Sequence, residues 1–297
     1  MFRVGTKLCI TTQSVGTRIV MKKVKFSFEF FPARTNEQKV ILCNTQEKLR
    51  KLNPEFFSVT FGAGGSTVEA TTDTVLELKK HKTPLVIPHL SCMGGTPDSI
   101  KVLLQKYLDN DIHHILALRG DVPSGMGSVG YFRHANELIE FIKTEFNDQF
   151  NITVGCYPEI HPESDTKEIE LKYFKQKVET GADQAITQFF FNADAYFAYL
   201  DECQKYGIDI PIIPGIMPIT NFSNINRFCG FCGAEMPRWL KYKLQSYGDD
   251  RKSIQQFGTE FISKLCEQLI QGGAPSLHFY TLNRSKATLD IVKNLTS

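Results

Sequence analysis

The sequence predicts an α/β chain folded as a (β/α)8 TIM barrel with extra helices between strands seven and eight. Two observations carry that reading. Eight short runs rich in β-branched and aromatic residues recur along the chain, most of them bounded by Gly or Pro. Helix-period segments with start and stop signals lie between them. Strand and helix alternating in this way indicate a parallel sheet, and eight repeats match a closed barrel. A doubly wound open sheet is the alternative.

The runs are residues 24–31, 56–61, 85–89, 114–118, 152–157, 185–191, 210–216 and 276–282. Ser66-Thr67-Val68-Glu69 reads as a capping box opening the helix that follows the second run. Thr96-Pro97-Asp98 supplies an N-cap, a Pro at the first helical position and an acidic first turn. Gly181, Gly207 and Gly272 follow three further helical runs, the usual place of a C-cap glycine. The stretch 218–271 is too long for one helix, so extra helices are expected there, with room for a lid.

No linker divides residues 22–297, which are expected to form a single domain. Residues 1–21 are set aside as a disordered extension or an upstream start. They carry Arg3, Lys7 and Arg18, many Thr and Ser, no acidic residue and little apolar periodicity. A net charge of +2 excludes a broad polybasic surface, so neither nucleic acid nor an acidic membrane is an expected partner. No apolar run approaches the roughly 20 residues needed to span a bilayer. Eight scattered cysteines among apolar neighbours fit reduced thiols in a cytoplasmic protein.

Functional residues of a barrel gather at the C-terminal ends of its strands. Glu29 closes the first run, Thr60 the second and His89 the third. Arg119-Gly120-Asp121 follows the fourth, Tyr157 and His161 the fifth; Gln188 lies in the sixth, and Tyr280 with Arg284 closes the eighth. Glu29 stands out because it is embedded in Phe28-Glu29-Phe30-Phe31-Pro32. An ionised carboxylate in apolar surroundings costs several kcal/mol, so such a group binds a proton or finds a partner. A proton-holding carboxyl at a strand end suits a general acid. The competing reading is an outward-facing Glu on an alternating strand, since Ser27, Glu29 and Phe31 share one face.

Two motifs point elsewhere. Gly125-Met126-Gly127-Ser128-Val129-Gly130 matches the dinucleotide pattern G-x-G-x-x-G. Residues 119–123 intervene between it and the strand, however, and helical sequence resumes only near Asn136, which favours a glycine loop. Cys229-Gly230-Phe231-Cys232 is a CxxC with no second pair or nearby His to complete a metal site, so no metal is expected.

Taken together, Phe28-Glu29-Phe30-Phe31-Pro32, Ser58-Val59-Thr60-Phe61-Gly62-Ala63, Pro88-His89-Leu90, Ala117-Leu118-Arg119-Gly120-Asp121, Tyr157-Pro158-Glu159-Ile160-His161-Pro162, Thr187-Gln188-Phe189-Phe190-Phe191 and His278-Phe279-Tyr280-Thr281-Leu282-Asn283-Arg284 closely resemble methylenetetrahydrofolate reductase. The match runs in order from about residue 24 to 295 and is similar to the short bacterial form, the catalytic barrel alone. The resemblance implies FAD as bound cofactor and NADH or NADPH as electron donor. It implies ping-pong reduction of 5,10-methylenetetrahydrofolate to 5-methyltetrahydrofolate, the methyl source for methionine synthesis. A homo-oligomer, dimer or tetramer, is implied as well.

The same resemblance assigns residues. Glu29 matches the general acid and Asp121 the carboxylate that stabilises a 5-iminium cation. Asp121, Gln188, Phe228, Tyr280 and Arg284 match substrate-binding positions. Cofactor-binding positions are Thr60, Phe61, Ala63, His89, Arg119, Gly120, Asp121, Ala135, Tyr157, His161, Ser164, Glu170, Tyr173, Gln176 and Lys177, with Arg119 and Lys177 as counter-charges for the diphosphate. Phe61 replaces a frequent Tyr, Gln176 an Arg and Tyr173 an Asn, which alters the adenosine end of the implied site. Two other classes are weighed against this reading. Another FAD barrel, such as one oxidising proline, gives no reason for Gln188, Tyr280 and Arg284 together, and a non-catalytic folate- or flavin-binding subunit would not need Glu29 as an acid.

Overall fold

The computed structural model describes residues 24–61, 67–81, 84–92, 95–120 and 131–296. The chain runs β1 (Phe26–Phe30), α1 (Asn36–Arg50), β2 (Phe56–Val59), α2 (Val68–Lys79), β3 (Leu85–Ser91), α3 (Pro97–Asp109), β4 (His114–Leu118) and α4 (Ala135–Phe146). It continues through β5 (Asn151–Cys156), α5 (Lys167–Glu179), β6 (Gln184–Thr187), α6 (Ala193–Lys205), β7 (Ile212–Ile213) and β8 (Gly215–Ile216). The helices α7 (Phe222–Cys232), α8 (Arg238–Ser246) and α9 (Arg251–Gln271), strand β9 (Leu277–Tyr280) and α10 (Lys286–Thr296) complete it. All eight expected strands are present, and the helices between the seventh and eighth number three. Among the described residues no helix is long and apolar enough to cross a membrane.

Every strand pairing is parallel, in the order β7-β6-β5-β4-β3-β2-β1-β9-β8. The two ends of that order are consecutive pieces of one strand, interrupted at Pro214. Ile212–Ile213 pairs with β6, and Gly215–Ile216 pairs with β9. A proline has no N–H to give the ladder, so the strand is split where the barrel closes. The Pro214 carbonyl still accepts from the His278 N–H at 3.1 Å. Tyr280 then spans the seam, its hydroxyl donating to the Thr187 carbonyl at 2.7 Å. A Cβ on Gly215 would lie 2.2 Å from that carbonyl and 2.6 Å from the Tyr280 ring, so only glycine fits beneath the phenol.

Alternation along each strand separates an inner from an outer face. Phe26, Phe28 and Phe30 join the large core between sheet and helices. Phe56, Ile87, Leu116, Ile186 and Ile213, from strands not all adjacent in the sheet, form a second small cluster that fills the barrel. Ser27 and Glu29 therefore face inward, which overturns the outward reading of Glu29.

Helix starts follow their caps. Thr96 accepts from the Ser99 N–H while Ser99 Oγ receives the Thr96 N–H, a reciprocal box at the expected place. In the helix after β2, Thr67 caps by accepting from the Ala70 N–H, and Ser66 lies outside the described residues. Gly181 and Gly207 take left-handed backbone after α5 and α6. After α9 that conformation falls on Gly273, with φ +92°. Gly272 is needed for space instead, because a Cβ there would meet the Phe197 ring at 2.1 Å.

Two glycines inside helices should respond oppositely to alanine. On α9 a Gly258 Cβ would sit 2.4 Å from the Ile219 carbonyl oxygen, whereas nothing lies within 4 Å of one on Gly230 in α7. Gly258→Ala is expected to lower unfolding free energy by about 1–3 kcal/mol through overpacking. Gly230→Ala is expected to raise it by roughly 0.5–1 kcal/mol through helix propensity. Denaturant titration of both variants checks the opposite signs.

Candidate active site

The inward register of three neighbouring strands builds the centre of the site. Glu29 on β1 lies opposite Ser58 on β2 and Tyr280 on β9, and Ser27 lies opposite His278. Above the apolar plug this places Ser27, Glu29, Ser58, His89, His278 and Tyr280 on one inner wall. Glu29 Oε2 is 3.4 Å from His89 Nε2 and 3.7 Å from His278 Nε2. The carboxyl thus lies beside two imidazoles rather than among apolar side chains alone. Burial pushes His89 down to about 4, so its imidazole is neutral near pH 7. Burial, then the neighbouring Glu29, raises the Tyr280 phenol well above its ordinary value.

The loop after β9 grips the end of β1. Thr281 Oγ1 donates to the Glu29 carbonyl at 2.6 Å. The Asn283 side chain accepts from the Phe31 N–H at 3.1 Å and donates to the Phe31 carbonyl at 2.8 Å. Leu282 and Asn283 hold left-handed backbone, φ +50° and +55°, to make that grip. The backbone carrying Glu29 is thereby tied to the loop that carries Arg284.

A second group gathers at the ends of β4 and β5 and on α5. Arg119 pairs with Glu163 and also donates to the Gly120 carbonyl. His161 packs edge-on to Tyr157 at 4.6 Å, and its Nδ1 accepts from the Glu163 N–H. Ser164 donates to the buried Glu170 at 2.6 Å. Lys177 donates to the Gly155 carbonyl at 2.6 Å, and burial lowers its pKa although Glu170 opposes the shift. Its ammonium is thus engaged by strand backbone, while Arg119 is engaged by a carboxylate.

The remaining expected residues fall into three sets. Gln188 lines a small cavity of about 10 Å³ with Tyr157, Glu159 and Cys232, and its Oε1 accepts from the Phe189 N–H. Tyr280 and Arg284 share a cleft of about 200 Å³ with Thr220 and Gln255. Phe228 is half-buried on α7, with the Arg227 guanidinium 5.6 Å from its ring centre. Ala135 opens α4, Gln176 is exposed on α5, and Tyr173 stacks on His134 at 6.0 Å, apart from Glu29. Phe61 is half-buried beside Thr60. Ala63, Asp121 and the glycine loop 125–130 lie outside the described residues. Cys229 and Cys232 are free thiols near the end of α7, and burial lifts Cys229 to about 11, unlike an activated redox thiol.

Two buried polar atoms bear on a cofactor. Thr60 Oγ1 and His89 Nε2 have no hydrogen-bond partner among the described residues. Such atoms are costly unless something else satisfies them. They lie on adjacent strand ends, at positions the sequence assigned to FAD, and a polar ring system seated on this rim would supply the missing partners. The residues present fit the group.

Sequence reasoning gave no role to His278, Ser27, Ser58, Thr281, Asn283 or Glu163. The signal for the first three was available. Ser27 with Glu29, Ser58 with Thr60 and His278 with Tyr280 each share one face of a strand.

Residues 15–296 match the family model described as methylenetetrahydrofolate reductase. The chain is 37% identical to the 5,10-methylenetetrahydrofolate reductase of Escherichia coli (strain K12) over 276 residues, 93% of this chain and 92% of that one. The chain belongs to the methylenetetrahydrofolate reductase family. Its family match begins inside the stretch 1–21 that composition alone set aside. Methylenetetrahydrofolate reductase (NADH) 1 of Arabidopsis thaliana is 34% identical over 283 residues, 91% of this chain but 48% of the plant protein. Among solved structures, an uncharacterized protein from Clostridium thermocellum, described as binding two copies of 5-methyl-5,6,7,8-tetrahydrofolic acid, superposes with a TM-score of 0.65. That superposition covers 93% of this chain and 97% of the other at 16% identity, and it shows the shared fold.

Two buried groups in this family member titrate with opposite consequences for stability. Burial lifts Glu159 to about 7 from 4.5, so the fold holds that proton longer than the unfolded chain does. Stability is lost from this group as pH rises from about 4.5 to 7. His89, lowered from 6.5 to about 4, sheds its proton sooner in the fold, so stability is lost as pH falls through that interval. Glu159→Gln is expected to flatten the loss toward neutrality and His89→Asn the loss toward acid, both read from melting temperature against pH.

Proposed function

We propose that this chain reduces 5,10-methylenetetrahydrofolate to 5-methyltetrahydrofolate, with FAD as bound cofactor and NADH or NADPH as electron donor. The observation that carries the reading is the inward Glu29 carboxyl, flanked by two imidazoles at the rim where Thr60 and His89 lack partners. When bound, FAD would supply the hydride carrier between the nicotinamide and the folate. Everything else falls to the protein's own side chains.

Glu29, in its protonated form, donates to N10 of the folate. That proton lets the five-membered ring open to a 5-iminium cation able to accept hydride. The neutral His89 beside it places no positive charge near the developing cation. Asp121, directly after Gly120 at the end of β4, supplies the negative charge that favours the cation. Gln188 offers its amide to the pterin or the nicotinamide in turn, and Phe228 offers a ring face for stacking. Arg284, exposed in the cleft beside Tyr280, meets the anionic glutamate tail. For the cofactor, Thr60 and His89 would hold the ring system, and the group around Arg119, Tyr157, His161 and Ser164 would hold the remainder. The E. coli and Arabidopsis relatives, named as reductases of this folate, support the reading.

Two anaerobic half-reactions test it. Purified protein should be yellow, NADH or NADPH should bleach it, and methylenetetrahydrofolate should restore the colour. Glu29→Gln is expected to slow the folate half-reaction by roughly 10²–10⁴-fold while leaving flavin reduction nearly unchanged. Equal damage to both would assign Glu29 to the fold or the cofactor instead. Thr60→Val should weaken FAD by about tenfold without lowering the melting temperature of the apoprotein, because the lost hydroxyl has no partner among the described residues.

A further inference from the structure

His278 lies in the centre of the Glu29 wall and belongs to none of the positions assigned above. Its side chain is fully buried at mid-strand on β9. Both ring nitrogens are engaged: Nδ1 is 2.8 Å from Ser27 Oγ, while Nε2 is 3.4 Å from Ser58 Oγ and 3.7 Å from Glu29 Oε2. Phe56 stacks on one ring face at 5.4 Å, and Tyr280 meets the ring at 89°. These contacts come from three strands and leave the imidazole one orientation. With Ser27 donating to Nδ1, the proton sits on Nε2 and points toward the edge shared by Ser58 and Glu29.

We infer that His278 is the positioning residue of the acid step: its imidazole, bonded to Ser27 and Ser58, stands 3.7 Å from Glu29 Oε2, keeps that carboxyl in register and turns its Nε2–H from Ser58 to the carboxylate left when the proton goes to the substrate. The inference rests on the proposed role of Glu29. The alternatives nearby are weaker donors to that role. His89 approaches the same oxygen at 3.4 Å, but its Nε2 is not anchored by any described residue, whereas serines hold both His278 nitrogens; the Tyr280 hydroxyl is committed to the Thr187 carbonyl. Glu29, His89 and Tyr280 are the titratable groups facing the imidazole; Ser27, Ser58 and Phe56 are its remaining neighbours. No charged group other than Glu29 is among these contacts, so Glu29 is the one neighbour of Nε2 whose charge changes in the reaction, with Ser58 Oγ as the neutral alternative acceptor.

Amide side chains separate the two nitrogens, because glutamine places a donor near the Nε2 position and asparagine near the Nδ1 position. His278→Asn should slow the folate half-reaction by roughly 10–100-fold, the loss expected for one hydrogen bond to a charged group. It should also move the alkaline limb of the pH–rate profile upward, since a carboxylate without its donor forms less readily. His278→Gln should recover the parent rate to within a few-fold, together with the parent profile. Flavin content and flavin reduction by NADH should be unchanged in both. Ser27→Ala keeps the imidazole and removes its anchor, so it should reproduce the asparagine effect in weaker form, even should the His278 variants fail to fold. Equal rates for His278→Asn and His278→Gln with the parent profile would overturn the inference, as would a parent-like Ser27→Ala. A Glu29→Gln enzyme with an intact folate half-reaction would overturn the underlying acid role, whereas an impaired Glu29→Gln beside parent-like His278 variants would overturn the positioning role alone.

Discussion

Within two residues along β2, β3 and β6 the barrel interior passes from a dry plug to polar side chains, and everything the site does depends on that step. Phe56, Ile87, Leu116, Ile186 and Ile213 close the bottom. One inward position further along, three of those strands present Ser58, His89 and Gln188, beside Glu29 and Tyr280. The plug excludes water from beneath, so electrostatic effects among Glu29, His89 and His278 act in a medium of low dielectric. The same dryness makes an unpartnered polar atom costly, and among the described residues Thr60 Oγ1 and His89 Nε2 are two such atoms. His278 avoids that cost with two serines, Ser27 on the adjoining β1 and Ser58 one strand further on β2.

Closure of the ring and placement of the site are linked through Tyr280. Its hydroxyl bridges from β9 to the carbonyl of Thr187 on β6, over the piece of strand seven that Pro214 interrupts. Thr187 Oγ1 in turn receives the Gly215 N–H at 2.9 Å, so one residue serves both sides of the seam. A phenol used in this way offers substrate its ring and lone pairs rather than its proton. Gln188, the next residue after Thr187, is held by the same junction, its N–H donating to the Cys156 carbonyl. The side chains proposed to meet the pterin therefore stand on the backbone that closes the barrel.

The sequence made the strands legible because each is a short apolar run ended by Gly, Pro or a polar residue, and a parallel barrel buries both faces of every strand. The rim was legible for a related reason, since Glu29, Thr60, His89, Gln188 and Tyr280 each interrupt an apolar run. What stayed hidden was register. Only strand pairing brings Ser27, Ser58 and His278 together, His278 lying 251 positions from Ser27 and 220 from Ser58. Nothing local in Leu277–Tyr280 says which strand it will adjoin. The grip of Asn283 on Phe31, 252 positions apart, was hidden for the same reason. The Thr67 cap was misplaced by one residue because Ser and Thr are interchangeable at that position, and the choice between them depends on which backbone stays extended.

Two strained turns flank the site, and their positions say what the strain is for. Ile160 holds φ +83° between Tyr157 and His161, and Leu282 holds φ +50° between Tyr280 and Arg284. Side chains with a Cβ at positive φ cost about 1–2 kcal/mol, and a β-branched residue there is rarer still. Each is held from outside: the Glu159 carboxyl accepts from the Glu235 N–H across the α7–α8 loop, and Asn283 is bound to both polar groups of Phe31. A relaxed turn at either place would re-aim the aromatic that precedes it and the basic side chain that follows. Backbone that folding alone would not choose thus sets Tyr157 with His161, and Tyr280 with Arg284, at one rim, with Glu29 on β1 between β2 and β9.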